Sequence, residues 1–139
     1  MNTFELESFD DFLAIARHQS EPERLLLVLA QRELPHGHTD IQAQQFADGI
    51  GGHLAPLAAV DKLPNELTNF ADFVKESQQV VKEWDAVFVA ALPGSNDQLP
   101  STKETDQAVE NMLHAIRNGI IGNFLVFDRE GYALSLNVG

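Results

Sequence analysis

The chain has 139 residues, the usual size of one domain, and 44% of them are hydrophobic, which is enough for one core. It has no cysteine, and this excludes disulfides, thiolate metal sites, iron–sulfur clusters and a cysteine nucleophile. The net charge is −12, from 21 acidic and 9 basic residues that form no basic cluster, so we expect no nucleic-acid and no membrane partner. The first residues carry no basic or long apolar leader, and we therefore expect a cytoplasmic protein.

The first third of the chain predicts a helix, a strand and a second helix. Apolar residues recur at helical spacing from Ser8 to about Gln19. The unbroken apolar run Leu25–Ala30 predicts a strand that is covered on both faces. Thr39 and Gln42 have the spacing of a capping box, in which each side chain binds the backbone of the other, and they predict the start of the second helix.

The middle of the chain predicts a strand, a helix and another strand. His53–Val60 is apolar, but Pro56 cannot donate a ladder hydrogen bond, so this strand is expected at a sheet edge or with a bulge. A helical stripe follows between about Asn65 and Lys82, and Trp84–Leu92 predicts the next buried strand, with Trp84 packed under a helix end.

The last third predicts a fourth helix and a hairpin. Ser101 and Glu104 form another capping box. Asn123–Phe127 and Tyr132–Leu136 flank a turn in which Gly131 is expected to take a left-handed conformation.

Together these elements predict the fold class α/β. We expect residues 1–139 to form a single-domain sandwich with four helices and about five strands, mostly parallel, with a C-terminal antiparallel hairpin.

In a parallel sheet, ligands bind beyond the carboxyl ends of the strands. On that basis the loops 33–39, 61–64 and 93–101 are expected to meet at one edge. The candidate ligand-binding residues on these loops are His36, His38, Asp61, Lys62, Ser95, Asn96 and Ser101.

The residues of these loops partly fit three chemistries, and ordinary polar surface is the alternative to each. His36-Gly37-His38 with Asp40 has metal-ligand residue types but not the i, i+4 spacing of a helical metal motif. Pro93–Asp97 precedes a capped helix but has one glycine and no lysine, unlike a phosphate loop. The pair Asp61-Lys62 could act as acid and base, or be a solvated turn. We expect no metal and no cofactor, and no catalytic residue can be named.

Several stretches carry a family resemblance: residues 8–13, 22–26, 32–35, 61–62, 84–92 and 119–129. Through them the chain resembles a family of small uncharacterised bacterial proteins that often carry the label of ribonucleotide reductase alpha subunit. The label implies a catalytic subunit that is a large barrel and uses a radical cysteine and a redox cysteine pair. Because this chain has no cysteine and only 139 residues, the resemblance transfers no catalytic residue.

The leading hypothesis is a non-catalytic binding or interaction protein that self-associates as a homodimer, with a protein partner also possible. It would use a sheet edge or the final hairpin, with Val126, Phe127, Tyr132, Leu134 and Leu136. The alternative is a small-ligand-binding protein or enzyme that uses the loops 33–39, 61–64 and 93–101. A third possibility is an acidic inhibitor of a basic partner.

Overall fold

A computed structural model describes residues 7–34, 37, 39–47 and 53–134. It has four α-helices and four β-strands, so the α/β class is confirmed. The helices are α1 (Phe9–Ala16), α2 (Asp40–Ala47), α3 (Phe70–Ser77) and α4 (Thr102–Arg117). The strands are β1 (Glu23–Glu33), β2 (His53–Lys62), β3 (Ala86–Pro93) and β4 (Leu125–Asp128), and a 3-10 turn covers Pro64–Glu66.

The predicted strand directions are wrong. The four strands form one sheet in the order β2-β1-β3-β4, and each neighbouring pair is antiparallel. A helix between two strands predicts a crossover to a parallel strand, but the connection that contains α2 leads directly into β2, the antiparallel neighbour of β1. The hairpin arm after β4 adds one isolated bridge, Phe127 with Ala133, and not a fifth strand; residues 135–136 lie outside the described residues.

Helices cover both faces of the sheet, which makes three layers. On one face α1 and α3 pack over Leu25, Leu27 and Leu29 of β1. On the other face α4 packs over Leu26 and Val28. The central strand is therefore buried on both sides, as its apolar run predicted, although the sheet is antiparallel.

The predicted caps are confirmed. Thr39 and Gln42 exchange both bonds of a capping box, at 3.2 and 2.8 Å. Ser101 and Glu104 do the same at the start of α4. Gly131 has a φ of 87°, in the left-handed region that favours glycine.

Helix α3 is shorter than the 65–82 segment that the apolar stripe predicted. The chain makes the 3-10 turn at Pro64–Glu66 and then extends to Asn69, whose side chain accepts a hydrogen bond from the Asp72 N–H and starts the helix. Trp84 is 2% exposed and donates from Nε1 to Ser77 Oγ at 2.9 Å, so it packs under the end of α3 as predicted.

The two edge strands of the sheet, β4 and β2, differ in what pairs with their outer sides. Beyond β4, the Leu134 N–H donates to the Val126 carbonyl at 2.8 Å, and the Ala133 N–H donates to the Glu7 carbonyl at 2.9 Å. Strand β2, at the other edge, pairs only with β1 among the described residues. The Pro56 prediction is confirmed on both counts, because β2 is an edge strand and its register shifts at Pro56, which leaves Leu57 without a partner on β1.

Candidate functional site

The antiparallel sheet separates the three loops that were expected to meet. Lys62 at the end of β2 and Pro93 at the end of β3 pair with Leu25 and Glu23 at the start of β1, so the loops 61–64 and 93–101 share one end of the sheet. The loop 33–39 leaves the opposite end of β1, which is 11 residues or about 35 Å away at roughly 3.3 Å per residue. His36 and His38 lie outside the described residues.

Asp61 and Lys62 both form ion pairs within the fold. Asp61 Oδ2 lies 3.1 Å from Arg24 Nη1, and Lys62 Nζ pairs with Glu76 of α3. Asp61 pairs in register with Leu26 and Lys62 with Leu25, so the two side chains point to opposite faces of the sheet. This arrangement does not bring them together as an acid–base pair.

The loop 93–101 is a tight turn followed by a helix cap. Ser95 and Gln98 exchange backbone hydrogen bonds of 3.0 and 2.9 Å, and Asn96 and Asp97 between them have φ values of 53° and 61°. The N–H groups of Ser95 and Gln98 are thus used inside the turn and cannot cradle an anion. Ser101 accepts from the Glu104 N–H at 3.1 Å and serves as the cap of α4.

A cavity of about 240 Å³ opens at this end of the sheet. Its lining comes from the end of α1, the segment before and at the start of β1, the 3-10 turn and the loop 93–101. The lining residues are Ala16, Arg17, Gln19, Glu21, Pro22, Glu23, Leu63, Pro64, Asn65 and Leu99. Of the five candidate residues that the structure describes (Asp61, Lys62, Ser95, Asn96 and Ser101), none lines it, although the loops 61–64 and 93–101 contribute Leu63, Pro64 and Leu99.

Charges of both signs line this cavity without forming an ion pair with one another. Arg17 Nη2 donates to the carbonyl oxygens of Leu67 and Thr68, the latter at 2.9 Å. Within the described part of the chain, neither Glu21 nor Glu23 has a salt-bridge partner. Burial raises the pKa of Glu23 above its ordinary value, because the half-buried carboxylate loses hydration.

A second surface lies along β2 and the end of α3. Leu57 and Val60 on β2 are 38% and 36% exposed, and Val80, just after α3, is 75% exposed. Next to them a mostly apolar cavity of about 160 Å³ is lined by residues that include Leu29, Ala58 and Phe73. The outer edge of β2, which pairs with no further strand in the described ranges, therefore adjoins exposed apolar side chains.

The final hairpin offers less apolar surface than the sequence predicted. Phe127 is fully buried in the core beneath α1 and α3, and Val126, 5% exposed, belongs to the core beneath α4. Neither side chain is available to a partner. Tyr132 and Leu134 are exposed, and Leu136 lies outside the described residues.

Two further findings limit what the described residues can do. They contain no group of three or more His, Asp or Glu side chains placed to hold a metal ion. In the same ranges no helix combines the length and the hydropathy that a bilayer crossing requires.

Sequence reasoning missed Arg17 and Glu23 because it searched only the carboxyl ends of the strands. In an antiparallel sheet the start of β1 lies beside the ends of β2 and β3, so a strand's first residues can face the same cavity. The segment Ser20-Glu21-Pro22-Glu23, a polar stretch directly before a buried strand, was the available signal.

No protein-family model, curated protein or solved structure matches the chain.

Proposed function

We propose that this protein is a non-catalytic interaction domain that forms a homodimer by pairing the outer edge of β2, which has no other strand beside it among the described residues, with β2 of a second copy. The observation that carries the proposal is the contrast between the two sheet edges. The β4 edge is covered by the chain's own residues near Glu7 and Ala133, whereas β2 presents its outer edge next to exposed apolar side chains. An exposed strand edge is a template for pairing with another chain.

The bulge limits which part of β2 can pair. Pro56 lacks an N–H, and Leu57 stands at the bulge, so the pairing segment about Ala59 is Leu57–Asp61. Two copies of one strand pair antiparallel about a two-fold axis perpendicular to the sheet, and facing residues then share a face. A pairing centred on Ala59 meets this condition, because Ala58 and Val60 both lie on the α3 face.

Charge also favours this segment for a second copy. Each chain carries a net charge of −12, so most surfaces of two copies repel each other. Residues 54–60 of β2 carry no charge. In the pairing centred on Ala59, Asp61 faces Leu57 and Lys62 faces Pro56 of the other copy, so no like charges are opposite each other.

The test is sedimentation equilibrium of the full chain over a wide range of concentrations. The unmodified protein is expected to dimerise. Leu57→Asp is expected to weaken dimerisation at least about tenfold, because it places a carboxylate opposite Asp61 at two places in each dimer. The matched control is Leu134→Asp, since Leu134 has the same 38% exposure but lies at the β4 edge.

Thermal unfolding of each variant shows whether the monomer fold is retained. A wild-type protein that stays monomeric at high micromolar concentration would contradict the proposal. Dissociation by Leu134→Asp and not by Leu57→Asp would move the interface to the hairpin and would also contradict it.

A further inference from the structure

The cavity at the start of β1 has the chemistry of a binding site for a small molecule that carries charges of both signs. We propose that it binds an aliphatic α-amino acid, with the carboxylate at Arg17, the ammonium group at Glu23 and the side chain against Leu63, Pro64 and Leu99. This site is separate from the β2 edge, and the proposal does not depend on dimerisation.

The charged groups of the cavity lack partners that a ligand could provide. Arg17 uses Nη2 for two backbone carbonyls, and its Nη1 and Nε groups have no partner among the described residues. The Glu23 carboxylate has no hydrogen bond or ion pair among the described residues either, and the loss of hydration that raises its pKa is what a bound ammonium group would offset. Opposite charges that share a cavity without pairing suit a ligand that bridges them.

The remaining lining narrows the class of ligand. Ala16, Leu63, Pro64 and Leu99 supply apolar walls for a hydrocarbon side chain. The volume of about 240 Å³ is below the roughly 300–1,000 Å³ of sites for drug-sized molecules, which fits one amino acid.

The charge of the protein argues against the competing ligand classes. A phosphate or a dicarboxylate would meet Glu21 and Glu23 in the cavity and a protein of net charge −12 around it. A simple cation would meet the Arg17 guanidinium. An amino acid has no net charge at neutral pH, so neither repulsion applies to it.

Isothermal titration calorimetry of the full chain tests the proposal with L-leucine, L-isoleucine and L-valine as probes. Saturable binding of at least one of them is expected. Two analogues of leucine show whether both charged groups are recognised: 3-methylbutylamine lacks the carboxylate, and 4-methylpentanoate lacks the ammonium group. Each is expected to bind at least about tenfold more weakly than leucine, because each loses a charge-assisted contact.

Glu23→Gln is the decisive variant, because Arg17 also holds the carbonyl oxygens of Leu67 and Thr68 and its replacement could disturb the fold. Glu23→Gln is expected to weaken leucine binding at least about tenfold. Glu83→Gln, which removes an exposed carboxylate outside the cavity, is expected to leave it unchanged.

Amide NMR spectra locate the binding: leucine is expected to shift the backbone amide signals of residues 16–21, 23, 63, 65 and 99, since Pro22 and Pro64 have no N–H. The proposal is wrong if none of the three amino acids binds, if either analogue binds as tightly as leucine, or if Glu23→Gln binds like the wild type. If the protein is monomeric but binds leucine, only the proposed dimer is wrong. If it forms the dimer but binds none of the three amino acids, only the proposed binding site is wrong.

Discussion

At the scale of single residues, Glu23 lines the cavity, and its partly buried carboxylate lowers the stability of the fold. Its half-buried carboxyl group has a raised pKa because burial removes water from the charged form. A carboxyl group whose pKa is higher in the folded state destabilises the fold when it ionises. Below the ordinary pKa of 4.5, Glu23 is protonated in the folded and in the unfolded chain, and the fold has its full stability. This stability is partly lost as the pH rises through the pKa that Glu23 has in the folded state.

We therefore expect Glu23→Gln to be more stable than the wild type at neutral pH, with a difference that shrinks as the pH falls through the raised folded pKa of Glu23 and is lost below 4.5. Urea unfolding across this range measures it. The charged groups near Glu23 are Arg17 and Glu21 in the cavity and the Arg24–Asp61 ion pair. They are the same in the wild type and in Glu23→Gln, so their own titration does not change the comparison. Glu83→Gln removes the same charge at an exposed place and corrects for the change in net charge. An equal gain for both variants at every pH would contradict the burial explanation.

At the scale of elements, the local signals in the sequence were sufficient to position most helices and strands but not to orient the strands. Capping boxes act within four residues, so Thr39–Gln42 and Ser101–Glu104 could be predicted from spacing alone. The run Leu25–Ala30 shows only that both faces of β1 are covered, and helices cover both faces of this antiparallel sheet just as they cover a parallel one. The direction of each strand depends on which strands become neighbours in the sheet, and this is not encoded in any short segment. The strand directions in turn determine which of the loops 33–39, 61–64 and 93–101 lie at the same end of the sheet.

Ser101, a predicted ligand-binding residue, caps helix α4 in the fold, and its contribution to stability can be tested. Its Oγ accepts from the Glu104 N–H at 3.1 Å, and the Glu104 carboxylate accepts from the Ser101 N–H at 3.2 Å. Ser101→Ala is expected to lower the free energy of unfolding by about 1 kcal/mol, because a helix N–H loses its partner. Urea denaturation measures the change, and Ser95→Ala in the exposed turn before α4 is the control. Equal stability of Ser101→Ala and wild type would show that the cap contributes nothing.

At the scale of the whole molecule, the two proposed surfaces divide the structure into independent parts. The cavity lies at the end of the sheet where β1 starts, whereas the dimer would extend the sheet sideways from β2. Pairing at β2 would join two four-stranded sheets into one of eight strands, with the α3 helices of both copies on the same face. Val80 and Val60, both exposed in the single chain, lie beside this seam and would lose contact with water.

The net charge of −12 makes the salt dependence of dimerisation a test of this arrangement. Two copies repel each other over long distances, and raising the ionic strength from about 0.01 M to about 0.15 M shortens the screening length from about 30 Å to about 8 Å. Since the pairing segment itself is largely uncharged, screening removes repulsion without weakening attraction, and the dimerisation constant is expected to rise on the order of tenfold. Sedimentation equilibrium at the two ionic strengths measures this, with Leu57→Asp expected to remain largely monomeric at both. Weaker association at higher salt would instead indicate an interface held by opposite charges, and the uncharged edge of β2 would then not be the contact.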